Sequence, residues 1–202
     1  MNKYIPMKTK KILYSGLAFM AILIVIAIIF TEAFLNLLNQ PALYIHARFI
    51  HIAAATIFFA NAVVGMAWER RSLLSGKKEV ILHTYKTVAW LDARLSSPMI
   101  ILSLVAGLML TTMTGDIWQI GWLSWAFVLF LFSGAFWIIS DIPTQYKVKS
   151  LMSGLNPQDH SLPEELVRLL HLRWWISLAG VAPLVIVFLL MVYKPVIPAI
   201  GM

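Results

Sequence analysis

Two histidines and an arginine stand at the head of a run otherwise fit for lipid: "HARFIHIAAATIFFANAVVGMAWERR", from His46 to Arg71. His51 is the residue whose chemistry most needs an account. It lies about eight residues into the apolar run, roughly 12 Å deep at 1.5 Å of rise per residue. An imidazole cannot reach bulk water from that depth. It needs a partner: a metal, a haem iron, a carboxylate or a backbone carbonyl. Three readings stay open, namely a hydrogen bond to a neighbouring helix, axial ligation of a haem iron, and another metal or a proton relay. His46 lies five residues earlier, about 140° around a helix, whereas two ligands on one helix prefer i,i+4 spacing. The two histidines therefore share no face, a spacing unfavourable to chelating one small ion together. Arg48, between them, is placed to reach the interface or a haem propionate.

The other histidines, His83, His160 and His171, fall on the opposite side of the expected membrane and cannot share an iron with His51. A haem in the His51 half is then five-coordinate, or takes a soft second ligand such as Met109 or Met113 near the end of a later span. His46, His51 and Met113 also make copper handling a reading to be tested. The chain has no cysteine, which excludes disulfides, thiolate chemistry, iron–sulfur clusters and covalent c-type haem attachment.

Further polar residues interrupt the apolar runs. Asn61, Gly65 and Glu69 continue along the His51 segment at i+4 steps. Ala53, Ala54, Ala55, Ala60 and Ala62 make that helix thin, so another helix or a flat macrocycle can approach it. Charge and spacing suggest three ion pairs: Glu32 with Arg48, Glu69 with Arg94, and Asp92 with Arg173. Trp118, Trp122, Trp125, Trp137, Trp174 and Trp175 lie near the ends of apolar runs. An interfacial aromatic belt puts them there; a platform for a quinone or porphyrin is the alternative use.

These residues need apolar helices to position them. The 202-residue chain is 60% hydrophobic and 12% charged, with a formal net charge of +7. Soluble domains are about half apolar and about one quarter charged, so the composition implies an integral membrane protein in a lipid bilayer. The basic residues gather in tracts between apolar runs, which argues against a nucleic-acid partner. A span needs roughly 20 apolar residues, and five segments qualify: about 12–38, 43–68, 89–112, 120–139 and 174–193, the third ending a longer helix that begins near Glu79. Lys3, Lys8, Lys10 and Lys11, then Arg70, Arg71, Lys77 and Lys78, then Lys147, Lys149, Arg168 and Arg173 fall on one side. The positive-inside rule makes that side cytoplasmic, with the N-terminus inside and the C-terminus outside the cell (inner) membrane. The cytoplasmic segment 141–172 should contain a short helix capped by Ser161, with Pro163 in its first turn. The expected fold is all-α and polytopic: an added first helix in 1–42, a four-helix core in 43–195, and a short outer tail at 196–202.

Three stretches together resemble a known family: "FIHIAAATIFFANAVVGMAWERR", "RLSSPMIILSLVAGLML" and "APLVIVFLLMVYKP". Their order resembles the HemJ-type protoporphyrinogen oxidases, and more closely a sister group of predicted integral membrane proteins with the same four-helix core. Copper-resistance membrane proteins are more distantly similar. The resemblance implies a b-type haem held by His51, with Pro98 and Lys194 at matching positions; if the protein is an enzyme, it is an oxidoreductase of the protoporphyrinogen oxidase type. Arg48 and Lys194 would then balance haem carboxylates. Against this membrane haem-b protein of electron transfer or oxidation stand two alternatives. One is a cofactor-free accessory or assembly subunit of a larger membrane complex or homo-oligomer. The other is the copper-handling protein.

Overall fold

The computed structural model describes residues 7–29, 31–156 and 161–201, and is helical, with no strand among the described residues. The helices are α1 (Met7–Ile29), α2 (Thr31–Leu38), α3 (Tyr44–Leu74), α4 (Lys78–Leu91), α5 (Ser97–Thr114), α6 (Gly121–Phe136), α7 (Ile142–Ser153) and α8 (Glu164–Tyr193). Among the described residues, four continuous runs are long and apolar enough to cross a membrane: Pro41–Leu74, Lys78–Thr114, Gly121–Ser153 and Glu164–Tyr193. The longest has 37 residues, about 55 Å of helix against a hydrocarbon core of about 30 Å. These helices therefore extend beyond the bilayer. The first expected span is shorter than the other four: its apolar stretch covers Tyr14–Ile26. The expected single segment 12–38 contains two helices, α1 and α2, and residue 30 lies outside the described residues.

Two of the long runs contain a π-helical turn, Asp92–Ser96 between α4 and α5 and Trp137–Asp141 between α6 and α7. Each turn ends one residue short of an X–Pro pair, Ser97–Pro98 or Ile142–Pro143. Proline has no N–H to donate, and its ring crowds the carbonyl four residues back. The chain widens instead of breaking: Ser97 N–H donates to the Asp92 carbonyl and Ile142 N–H to the Trp137 carbonyl, each five residues back. Such π turns are frequent at functional positions, and each of these carries an aspartate.

The short helix expected inside 141–172 is the first part of α8, which continues unbroken into the last span. Ser161 does not cap it. The helix starts at Glu164 after Pro163, whose ψ of 141° is extended and cannot lie in a helical turn. Glu164 and Glu165 in the first turn favour the positive end of the helix dipole. His160 lies outside the described residues.

The chain divides into two compact units, residues 1–61 with 90–117, and residues 62–89 with 118–202. In the first unit, α1 and α2 pack on α5. In the second, α6 and α8 pack most extensively. Ser133 Oγ donates to the Gly180 carbonyl at 2.5 Å, and a Cβ at Gly180 would come within 3.3 Å of Phe136. A small residue lets these helices approach, as membrane helix pairs commonly require. A buried apolar cluster, Ile81, Tyr85, Val148, Leu166 and Leu170, ties α4, α7 and α8 together. Elsewhere large apolar side chains are bare: Ile45 is 76% exposed, Phe49 72% and Val192 71%. A soluble protein rarely leaves so many large apolar side chains exposed; hydrocarbon suits them.

Candidate functional site

The first unit holds His51. Its Nδ1 lies 2.8 Å from the Ser103 backbone carbonyl and 3.3 Å from Ser103 Oγ. A carbonyl only accepts, so Nδ1 carries the proton in that hydrogen bond, and in a neutral imidazole Nε2 keeps the lone pair. Gly107, one turn further along α5, makes room for the ring: a Cβ there would stand 3.0 Å from both Cε1 and Nδ1 of His51. The imidazole is half-buried and held by a backbone group that substitution cannot remove.

Other residues expected around His51 lie on α3 and α5. Arg48 is exposed on α3 at i−3, the spacing of neighbours on one helix face. His46 is exposed, away from that face. Met113 lies six residues beyond Gly107, about 9 Å further along α5 and about 120° around it. Among the described residues no group of three or more His, Cys, Asp or Glu is set to hold a metal ion. The expected Glu32–Arg48 ion pair is absent among the described residues, and both side chains are exposed. Ten residues along α3 from His51, Asn61 Nδ2 donates to Ser96 Oγ at 2.7 Å and to Asp92 Oδ1 at 3.4 Å. Arg94 lies over the Trp90 ring, 5.1 Å from its centroid.

The second unit holds a charge network that spacing along the chain does not reveal. Arg173 on α8 donates to Glu69 Oε1 on α3 at 2.5 Å, and its Nε lies 3.6 Å from Asp141 Oδ1. All three residues are at most 4% exposed. Gln145 Nε2 and Ser177 Oγ also donate to Asp141, at 2.6 and 3.1 Å. The Arg173 guanidinium stands 5.3 Å from the Tyr85 ring centroid. The Tyr85 hydroxyl is buried and has no hydrogen-bond partner among the described residues. Trp174 donates to the Met66 carbonyl and lies beneath Arg70.

This arrangement corrects one expected pair. Glu69 takes Arg173 in place of Arg94, because Arg94 finds a local aromatic partner four residues back. Asp92 accepts a hydrogen bond from Asn61. Asp141, which reads as the start of a loop, belongs instead to a helix that continues to Ser153. The available signal was an acid closing an apolar run two residues before a proline. His171 bonds the Val167 carbonyl of its own helix, and His83 is exposed.

Lys194 ends α8 with left-handed backbone, φ 45°, and its N–H caps the Leu190 carbonyl at 2.9 Å. Its Nζ stands 5.2 Å from the Trp122 ring centroid. The tail beyond it folds over the start of α6. Trp125 Nε1 donates to the Pro198 carbonyl at 3.2 Å, and Ile200 N–H donates to Ser124 Oγ at 3.3 Å. Any side chain at Gly121 would collide with the Ile197 carbonyl.

Four long apolar helices, bare hydrocarbon faces and ionisable groups kept inside define an integral membrane protein. Residues 45–195 match the family described as predicted integral membrane protein (DUF2269), and the chain belongs to that family. No curated protein and no solved structure matches it.

Proposed function

We propose that this protein binds one b-type haem through His51 and has an electron-transfer or oxidoreductase role of the HemJ kind. The hydrogen bond from Nδ1 to the Ser103 carbonyl carries the proposal. Metal-ligating histidines characteristically donate their second ring N–H to a carbonyl or carboxylate, which fixes the tautomer and raises the basicity of the ligating nitrogen. A neutral His51 bonded in this way has that tautomer, and glycine rather than a larger residue stands beside its ring. Haem, when bound, supplies a one-electron couple. His51 would hold it through Nε2, and Arg48 would offset a propionate near the interface. The basic tracts support an N-terminus in the cytoplasm, which puts the His51 end of α3 at the outer side of the cell (inner) membrane. A porphyrin or quinone is the substrate class this reading implies.

The same hydrogen bond supports a second reading. A backbone carbonyl alone lets a neutral imidazole stay buried, so a cofactor-free subunit of a larger membrane complex would also keep His51. Absorption spectra separate the two. Protein purified from haem-supplied membranes, oxidised and dithionite-reduced, is expected to show a Soret band that His51→Ala abolishes. A correctly folded preparation that stays colourless overturns the haem proposal and favours the second reading. Copper retained after dialysis and lost in His51→Ala would instead support copper handling.

A further inference from the structure

We propose that the second unit carries a binding site for one anionic phospholipid, with an acyl chain in a groove between α6 and α8 and the phosphate at Lys194. The groove is about 210 Å³ and is lined by Trp125, Leu129, Ile186, Leu190 and Ile197. It opens at the protein surface: Trp125 is 44% exposed and Ile186 48%. Ile197 belongs to the tail, whose carbonyls at 197 and 198 lie against the first turn of α6, so the tail forms one end of the groove.

The charge at that end selects the occupant. Lys194 follows the groove residue Leu190 by one turn and precedes Ile197 by three residues. Its left-handed backbone turns the chain from α8 into the tail. Its ammonium rests on Trp122, an aromatic partner with no negative charge, and among the described residues no carboxylate pairs with it. A cation on an indole face retains N–H donors for a further acceptor. The α6 N-terminus, one residue before Trp122, adds its positive dipole end. Trp118, Trp122 and Trp125 belong to the residue type that marks the headgroup level of a bilayer. An apolar trough ending in a cation at that level matches a phosphate ester carrying an acyl chain. A zwitterionic lipid would bring a second cation to Lys194 and lose the selectivity.

The test uses the full chain in detergent, exposed to phosphatidylglycerol or phosphatidylcholine vesicles and read by native mass spectrometry. Wild type is expected to retain phosphatidylglycerol in preference to phosphatidylcholine. Lys194→Gln should weaken retention about fivefold, the equivalent of ~1 kcal/mol for one lysine near an anionic surface. Lys194→Arg should keep it, and Ile186→Trp, which fills the groove from an exposed position, should reduce it with the charge intact. Equal retention of the two lipids, or no change in Lys194→Gln, overturns the proposal. Loss of a Soret band in Lys194→Gln with lipid retention unchanged also overturns it, and assigns the lysine to a haem carboxylate. The haem test rests on His51 alone, so either result stands without the other.

Discussion

His51 and Arg173 are each buried or half-buried polar side chains fixed by another helix of their own unit, yet the two surroundings are built to opposite ends. His51 meets the carbonyl and the Oγ of one residue, Ser103, through Nδ1, and its second nitrogen has no hydrogen-bond partner among the described residues. Arg173 is charged, meets two carboxylates, and those carboxylates draw further bonds from Gln145 and Ser177. A lone pair left over is what a ligand needs. A network in which charges answer one another holds helices together. If His51 holds the proposed haem, ligand chemistry belongs to the first unit, and the charge network of the second serves architecture.

The largest expected effect comes from breaking the network. Arg173→Met leaves Glu69 and Asp141 buried together without their cation. Removing one partner of a buried ion pair costs about 3–5 kcal/mol, and a large fall in the thermal midpoint in detergent should show it. Replacing all three charges with apolar side chains of similar volume should restore most of that loss, because well-packed apolar substitutes for buried ionic clusters are often neutral or stabilising. If Arg173→Met melts like wild type, the network is not architectural and the contrast with His51 fails.

These two regions were unequally legible in the sequence. Helical spans are written locally, in length and apolarity, so four long helices and the extension of the third toward residue 78 could be read directly. The depth of His51 is also local, and a backbone carbonyl was among the partners its depth demanded. Glu69 and Arg173 could be recognised as groups that need opposite charges. Which charges they meet could not, because spacing along one helix gives a face but not the helix opposite it. Asp141 was hidden by the π turn, since the proline after it looks like the end of a helix. Gly107 was hidden because its role is the absence of a side chain beside His51.

Gly107→Ala probes the His51 side. The added methyl would stand 3.0 Å from two atoms of the ring, so the imidazole or α5 must shift. Overpacking of this kind costs about 1–3 kcal/mol, less than the loss of Arg173. Under the proposed haem ligation, a displaced ring should also weaken or shift the Soret band while leaving the Glu69–Arg173–Asp141 network intact. A spectrum and a melting curve identical to wild type would show that the close approach is unimportant.

Tyr85→Phe asks whether the network extends to the phenol beside it. The hydroxyl is buried without a partner among the described residues, and leaving such a group unpaired costs about 1–3 kcal/mol. Its removal should therefore leave stability unchanged or raise it by about 1 kcal/mol. The ring that faces Arg173 remains in the variant. A clear destabilisation would mean that the hydroxyl is bonded to a water within the network.

The smallest effect belongs to a pair that resembles the network only in its charges. Lys147 and Glu165 approach to 3.6 Å, with side chains 61% and 65% exposed. Water screens the pair, and holding two long side chains together costs conformational entropy, so exposed pairs contribute about 0–1 kcal/mol. Glu165→Gln should move the melting midpoint little, and that little should vanish in high salt. Arg173→Met should lose nearly the same stability at any ionic strength, because its carboxylates are shielded from the ions. Burial rather than opposite charge makes the difference. If salt were to rescue Arg173→Met as readily as it cancels the Lys147–Glu165 pair, water would reach the network, and its place as a dry architectural centre would be lost.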